Sequence, residues 1–212
     1  MVRRGPYAKG MVRRDAILDK ALDVIAQQGM RGASIKGIAD AVELSPAGLL
    51  HYFTSKEELF TQIVRKRDER DRIKVDESTT ADEIHDAYLA LIEHNAQVPG
   101  LVELFTRMAA ESVDPTHPAH EYYLVRGEAI RAQLTAAARK LQEAGRLPTR
   151  ISPDVLARLV QAVSDGLQLQ WLLDPSIDMP ALLVQFFDAL EPCGDRAVVD
   201  DDGASSDTAG RA

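Results

Sequence analysis

Residues 35–53 read IKGIADAVELSPAGLLHYF, and this stretch predicts two short helices joined by a tight turn. Ser34 stands at the expected N-cap of the first helix. Ser45 followed by Pro46 suits the N-cap and the first residue of the second helix. A scaffold helix packed on a second helix that enters the major groove is the helix-turn-helix arrangement. The stretch therefore predicts a DNA-binding unit.

The apolar residues of this stretch recur at helical spacing, which would pack the two helices on each other and on a preceding helix. They are Ile35, Ile38, Ala39, Val42, Leu44 and Leu49. Burying them leaves four residues free to face outward, namely Ala47, Gly48, His51 and Tyr52. The turn at Ser45 also presents the unpaired N–H groups of a helix N-terminus, which suit a phosphate.

Helical periodicity continues on both sides of this unit. A first helix is expected from near Arg13 to Gly29, and Ser55 with Glu58 three residues on predicts the start of a longer helix. We interpret the charged run 65–74, RKRDERDRIK, as a solvated continuation of that helix. Residues 1–12 are basic and lack periodicity, so we expect a flexible basic arm there.

Beyond residue 78 the apolar spacing predicts five longer helices, over about 81–97, 101–112, 119–144, 153–173 and 179–190. Proline or glycine falls between them, for example at Pro99-Gly100. No run alternates apolar and polar residues as a half-buried strand would, so the predicted fold class is all-α. Residues 194–212 are small, polar and acidic, and we expect a disordered tail there.

Charge is divided unevenly along the chain. Residues 1–74 hold 15 Lys/Arg and 10 Asp/Glu, whereas the whole chain of 212 residues holds 25 and 33. The basic N-terminal third suits a surface that meets phosphates. Cys193 is the one cysteine, which excludes an intramolecular disulfide, and no apolar run reaches the roughly 18 residues of a membrane span. We therefore expect a cytoplasmic protein without a membrane partner.

Residues 38–53, IADAVELSPAGLLHYF, followed by SKEEL at 55–59, resemble the DNA-binding segment of the tetracycline-repressor-like (TetR) family. The resemblance covers about residues 13–64. It implies an N-terminal three-helix helix-turn-helix DNA-binding domain over 13–64 and a C-terminal helical ligand-binding and dimerisation domain over 65–193. It further implies a homodimer that binds a palindromic operator in double-stranded DNA as a ligand-responsive repressor.

Carried over residue by residue, the resemblance implies DNA contacts along the turn and the recognition helix. The set is Ser34, Ser45, Ala47, Gly48, His51, Tyr52 and Lys56, to which the basic arm adds Arg13 and Arg14, with Arg3, Arg4 and Lys9. Glu43 stands where the family usually has glycine, so it must either accept a left-handed backbone or adjust the turn, at a cost of about 1 kcal/mol. Leu50 stands where the family commonly has an aromatic residue, which removes one phosphate partner.

Segments 153–173 and 179–190 are apolar on more than one side, so one chain is not expected to bury them fully. Together with their symmetry mates they would form a four-helix dimer seam. The expected contact residues are Val163, Gly166, Leu167, Gln170, Leu183, Phe187 and Leu190.

The resemblance also implies an effector pocket among the central helices. Its candidates are polar or aromatic residues embedded in apolar helical stretches: His94, Phe105, Met108, Tyr122, Tyr123, Gln168 and Trp171. No sequence feature identifies the effector.

Two other functions stay open. A DNA-binding regulator without a small-molecule effector would share these motifs, and the residues alone do not separate a repressor from an activator. A helical enzyme has little support, because no P-loop, dinucleotide fingerprint or nucleophile turn appears. His117 and His120 flank Pro118 without further ligands, so neither a metal nor a cofactor nor a catalytic residue is predicted.

Overall fold

Capping residues and apolar spacing account for the helices of the computed structural model, which describes residues 6–29, 33–71 and 76–190, with side chains from residue 10 onward. Regular structure in these ranges is helical throughout, as predicted. The helices are α1 (Pro6–Gln28), α2 (Ile35–Ala41), α3 (Pro46–Leu50), α4 (Lys56–Arg70), α5 (Ala81–Gln97), α6 (Pro99–Glu111), α7 (His120–Glu143), α8 (Pro153–Leu173) and α9 (Met179–Leu190).

Hydroxyl side chains fix the starts of α2, α3 and α4. Ser34, Ser45 and Ser55 each accept a hydrogen bond from the backbone N–H three residues on, at 2.9–3.0 Å. A cap of this kind stabilises a helix by about 1 kcal/mol. The three N-caps predicted from the sequence are confirmed.

The start of α1 differs from the prediction. Pro6 occupies the first helical position, where its fixed φ suits the helix and its missing N–H costs nothing. Residues 6–12 are therefore helical rather than an irregular arm. The expectations for Arg3, Arg4, Cys193 and the tail 194–212 lie outside the described residues.

Two left-handed residues close α1 and the turn after α2. Gly29 has φ +62° at the end of α1, as predicted. Glu43 has φ +57°, which confirms that a non-glycine residue takes the left-handed conformation in the turn between α2 and α3.

The first core lies among α1, α2, α3, α4 and α6. Its centre consists of side chains with at most 1% exposure, namely Ile17, Leu22, Ile25, Ile38, Leu49, Leu59 and Ile63. Leu104 and Met108 of α6 complete it, so the helix-turn-helix shares a core with the following helices.

Gly100 lies in the first turn of α6, where the sequence pattern had predicted a break. A Cβ at this position would lie 2.4 Å from both the Gly29 Cα and the Ile25 carbonyl oxygen. Only a residue without a side chain allows α6 to approach the end of α1 this closely.

The second part of the molecule contains α5, α7, α8 and α9. Helices α7 and α8 are joined by a short connection, and Ala138 and Leu141 of α7 pack with Leu156 of α8. Helix α9 packs on α5 through Met179, Leu183 and Ile92. These helices, with α4 and α6, leave a cavity between them.

Candidate functional site

Helix α3 buries one side and exposes the other. Leu49 is fully buried in the first core, whereas Ala47 and His51 are exposed. Gly48 and Tyr52 are half-buried, and the Tyr52 ring packs at the edge of the core with a T-shaped contact to His51. The four residues predicted to face outward are thus accessible from one side of the molecule. The helix ends at Leu50.

Cationic side chains flank this helix. The Arg13 Nη2 donates a hydrogen bond to the Val42 carbonyl at 3.2 Å, which holds the exposed guanidinium beside the turn. Lys56 is exposed at the start of α4, with its Nζ 5.5 Å from the Phe60 ring centroid. Ser34 is also exposed. Two exposed cations thus lie near helix N-termini: Arg13 beside the turn that precedes α3, and Lys56 at the start of α4.

Arg14, predicted to contact DNA, makes two contacts within the protein. Its guanidinium pairs with Glu58 and lies 4.8 Å from the Phe53 ring centroid, so its charge is used within the protein. The Glu58 carboxylate also accepts hydrogen bonds from the Thr54 N–H and hydroxyl. Burial acts to raise the pKa of Glu58, but these bonds and Arg14 outweigh it and lower that pKa. The ionised carboxylate therefore ties α1 to the start of α4.

A cavity of about 490 Å³ lies among α4, α5, α6, α7, α8 and α9. Three of the predicted effector residues line it, namely Phe105, Tyr122 and Gln168. The other four do not. Met108 and Tyr123 pack in or against the first core, His94 is exposed, and Trp171 packs against the cluster of Ile92, Met179 and Leu183.

A charge network crosses the cavity wall between α4 and α7. The Arg126 guanidinium donates to both oxygens of Asp68, at 2.5 and 2.8 Å, and the Tyr122 hydroxyl donates to the same carboxylate at 2.7 Å. Burial acts to lower the pKa of Arg126, but the hydrogen bonds and charge of Asp68 outweigh it and raise that pKa. Arg126 also lies 4.4 Å from the Phe105 ring centroid.

Arg67 contradicts the interpretation of residues 65–74 as a solvated face. It is only 8% exposed, and it donates hydrogen bonds to the Leu101 carbonyl, Asp71 and the Asn95 side chain. Burial lowers its pKa. The signal was present in the spacing, because Arg67 continues the inward stripe of Ile63 and Val64 at i+4 and i+3.

The α5–α8 side of the cavity carries a second polar group that the sequence did not reveal. The Tyr88 hydroxyl lies 2.6 Å from the Ser164 Oγ, and burial raises the pKa of Tyr88 to about 12. The next residue, Asp165, lines the cavity and makes no hydrogen bond or ion pair with any residue in the described ranges. The Asp165 side chain is exposed; desolvation by the surrounding protein raises the pKa of its carboxyl, although Arg126 opposes this change.

The predicted dimer residues fall on different surfaces. Leu183 is fully buried within the chain, which corrects its predicted place in a dimer contact. Phe187 lines the cavity and Leu190 packs against the α7–α8 cluster, and both are half-buried. Val163 and Leu167 pack toward α9. Gly166 and Gln170 remain accessible.

The exposed apolar residues of α8 form one stripe. They are Val155, Leu159, Leu169 and Leu173, with 45–80% exposure, and Ala162 and Gly166 fall on the same side. The stripe is rotated by about 70° from the predicted contact face, at about 100° per helical residue. On α9, Leu182 is 41% exposed.

His117 lies in the connection before α7, and His120 is the first residue of α7. The His120 Nδ1 lies 2.8 Å from the Ser112 carbonyl oxygen, and the His117 Nδ1 accepts from the Ala119 N–H at 3.2 Å. The described residues contain no cluster of three His, Cys, Asp or Glu able to hold a metal. None of the described helices is long and apolar enough to span a bilayer.

Family models match both parts of the chain. The model for bacterial regulatory proteins of the tetR family matches residues 17–63. The model for the C-terminal part of BetI-type transcriptional repressors matches residues 81–190, about half of the chain.

The chain is also similar to individual proteins. The HTH-type transcriptional regulator PksA of Bacillus subtilis (strain 168) is 28% identical over 171 residues, 77% of this chain and 80% of that protein. A solved TetR-family regulator from Rhodococcus sp. has a TM-score of 0.65, 22% identity, and coverage of 85% of this chain and 98% of that one. A regulator from Saccharomonospora viridis in complex with choline has a TM-score of 0.60, 21% identity, and coverage of 83% and 93%.

Proposed function

The chain belongs to the TetR family and is a DNA-binding transcriptional regulator, and we propose that it is a ligand-responsive repressor that binds a palindromic operator as a homodimer. One feature of α3 supports operator binding above all. Its Leu49 side is sealed in the core while Ala47 and His51 stay exposed. A helix docked in this way presents its free face to the major groove. DNA binding would place the protein in the bacterial cytoplasm.

The proposed contacts follow the exposed groups. Side chains of α3, with His51 and Tyr52 at its end, face the bases, while Ser34, Ser45 and Lys56 meet phosphates on either side. Arg13 lies beside the turn and joins the phosphate contacts. Arg14 is excluded from this set because Glu58 neutralises it.

Two substitutions separate base contacts from phosphate contacts. Operators are first selected from a random duplex library. We expect His51→Ala to lower affinity for the selected duplex about tenfold with little effect on random duplex. Lys56→Ala should weaken binding to the selected duplex and to the random duplex equally, and it should reduce the slope of log affinity against log salt concentration by about 1.

Arg139→Ala is the matched control, since Arg139 is exposed near the far end of α7 and the variant also loses one positive charge. Failure of the unaltered protein to prefer any selected duplex over random competitor would refute operator binding.

The α8 stripe is the proposed dimer contact, with Leu182 of α9 beside it. Apolar stripes of this length need a partner, and two copies meeting through α8 and α9 form a four-helix seam. The seam would hold the two α3 helices at half-sites about 34 Å apart.

Glu substitutions test this seam. Leu169→Glu should turn the dimer into a monomer, measured as molar mass by light scattering after gel filtration, because an unpaired carboxylate is costly in an apolar contact. Leu124→Glu is the control, since Leu124 is 54% exposed on α7, outside the stripe. An unchanged mass for Leu169→Glu would assign the dimer to another surface.

The cavity supports the ligand-responsive part of the function. Its volume falls in the range of small-molecule sites, about 300–1,000 Å³, and helix α4 contributes both to its wall and to the helix-turn-helix core. A screen of apolar and aromatic compounds by thermal shift, combined with operator release, tests it. A regulator without an effector would show neither a compound-induced rise in Tm nor release of the operator.

A further inference from the structure

Seven ionisable acids and guanidiniums line the cavity, and most of them are neutralised within the protein. Arg126 is held by Asp68, and Arg67 is held by Asp71. Arg65 and Glu69 lie one helical turn apart on α4, are both exposed and carry opposite charges, and the Arg65 guanidinium lies 5.1 Å from the Tyr122 ring centroid. Asp165 on the opposite wall is exposed and makes no salt bridge with any residue in the described ranges. The three guanidiniums and four carboxylates of the lining leave the cavity with a net charge of −1.

The two hydroxyl groups beside Asp165, those of Tyr88 and Ser164, offer a ligand no free hydrogen. The Ser164 Oγ donates its hydrogen to the Val160 carbonyl at 2.8 Å, so it must accept the hydrogen of Tyr88. Both hydroxyl hydrogens are thereby used within the protein. What remains for a ligand is the Tyr88 oxygen and the Asp165 carboxylate, a combination that suits a cationic donor and repels an anion.

The cavity is polar at one end and apolar at the other. Polar liners Arg126, Asn95 and Gln168 lie toward α4, while Ile84, Leu141 and Leu156 lie at the opposite end. Along α5 the lining runs from Ile84 to Asn95, which spans about 16 Å at 1.5 Å per residue. A ligand with a charged head and a hydrocarbon tail matches this gradient.

We infer that the effector is an amphiphilic organic cation, with its ammonium group bound at Asp165 and its aliphatic tail directed toward Leu141 and Leu156. This inference rests on the proposed effector cavity and names the chemistry of its ligand. The edge-to-face rings of Tyr88 and Phe187, 5.6 Å apart at their centroids, lie on the same side of the cavity and add aromatic surface for a cation.

Three compounds with one tail test the charge preference directly. Decylammonium, decanol and decanoate are titrated into the full-length protein below their micellar concentrations, with binding measured by calorimetry and operator release by fluorescence anisotropy. We expect decylammonium to bind at least about tenfold more tightly than decanol, and decanoate to bind most weakly.

The variants then locate the charge. Asp165→Asn should remove the advantage of decylammonium over decanol. Glu69→Gln, at the rim, and Asp86→Asn, an exposed carboxylate outside the cavity, remove the same charge and should retain that advantage. The comparison of the three head groups uses the unaltered protein. It therefore still tests the charge preference of the cavity even when Asp165→Asn does not fold.

Equal binding of the three compounds, no binding at all, or an advantage that depends on Glu69 instead of Asp165 would overturn the inference. Binding that depends on Asp165 but leaves the operator complex intact would support the cation site and refute the ligand-responsive function. If decanol and decylammonium release the operator equally well, the ligand-responsive function would be supported and the cation site refuted.

Discussion

Replacing Gly100 with alanine should loosen the contact between α1 and α6. The added Cβ would lie 2.4 Å from the Gly29 Cα and from the Ile25 carbonyl oxygen, and both of these are backbone atoms that no rotamer change can move. Reaching an ordinary contact of 3.4 Å requires the helices to separate by about 1 Å. Overpacking of this kind costs about 1–3 kcal/mol, against a gain of up to about 1 kcal/mol from the helix propensity of alanine.

With the full propensity gain, the expected net loss is about 0–2 kcal/mol, a fall in Tm of up to about 8 °C for a chain of this size. Gly127→Ala is the control, because a Cβ on that helical glycine meets no atom within 4 Å. It should stabilise the protein by about 0.5–1 kcal/mol. Both variants are unfolded in urea at one fixed protein concentration, since dimer stability depends on concentration. A Gly100→Ala variant as stable as Gly127→Ala would refute the close approach of α1 and α6.

Three further measurements examine single interactions. Glu58→Gln should lower stability at neutral pH but not in acid: the folded-state pKa of Glu58 lies below the ordinary 4.5, so its contribution is complete above that value and disappears as pH falls through the folded pKa. Unfolding curves of both proteins across this range should converge at low pH, and a constant difference would contradict the role of the charge. Glu43→Gly should raise the free energy of unfolding by about 1 kcal/mol, since φ is +57°, and a loss of stability would contradict the strain. Asp68→Asn and Arg126→Met should show a coupling of about 1–3 kcal/mol in a double-mutant unfolding cycle, whereas additive effects would argue against the ion pair.

Features encoded by local chemistry could be predicted from the sequence. The N-caps at Ser34, Ser45 and Ser55 depend on hydrogen bonds to residues three positions away, and the left-handed Glu43 on a turn of a few residues. The bounds of α5 and α8 match the predicted segments because the apolar spacing agrees with the proline and glycine residues that separate the helices.

Features set by contacts between distant helices could not be predicted in this way. The spacing after Ile63 and Val64 places Arg67 on the inward side of α4, but it does not reveal the acceptors of Arg67, because Leu101 and Asn95 lie 34 and 28 residues away. The predicted dimer contact included the buried Leu183 for a similar reason. Helix α8 is apolar on several sides, and periodicity alone does not say which side α9 covers.

The position of Asp68 limits how an occupant of the cavity could affect DNA binding. A ligand shifts a conformational equilibrium only by the difference in its affinity for the two states, so it must distinguish two positions of α4. Asp68 lies on α4 and is held by Arg126 of α7, while Arg126 is also the cation that acts on Asp165 across the cavity. A cation bound at Asp165 would repel Arg126 and so change the charge balance on the Asp68 contact. A neutral compound in the same apolar space would fill the cavity without this effect, and it should release DNA only where its bulk displaces α4 directly.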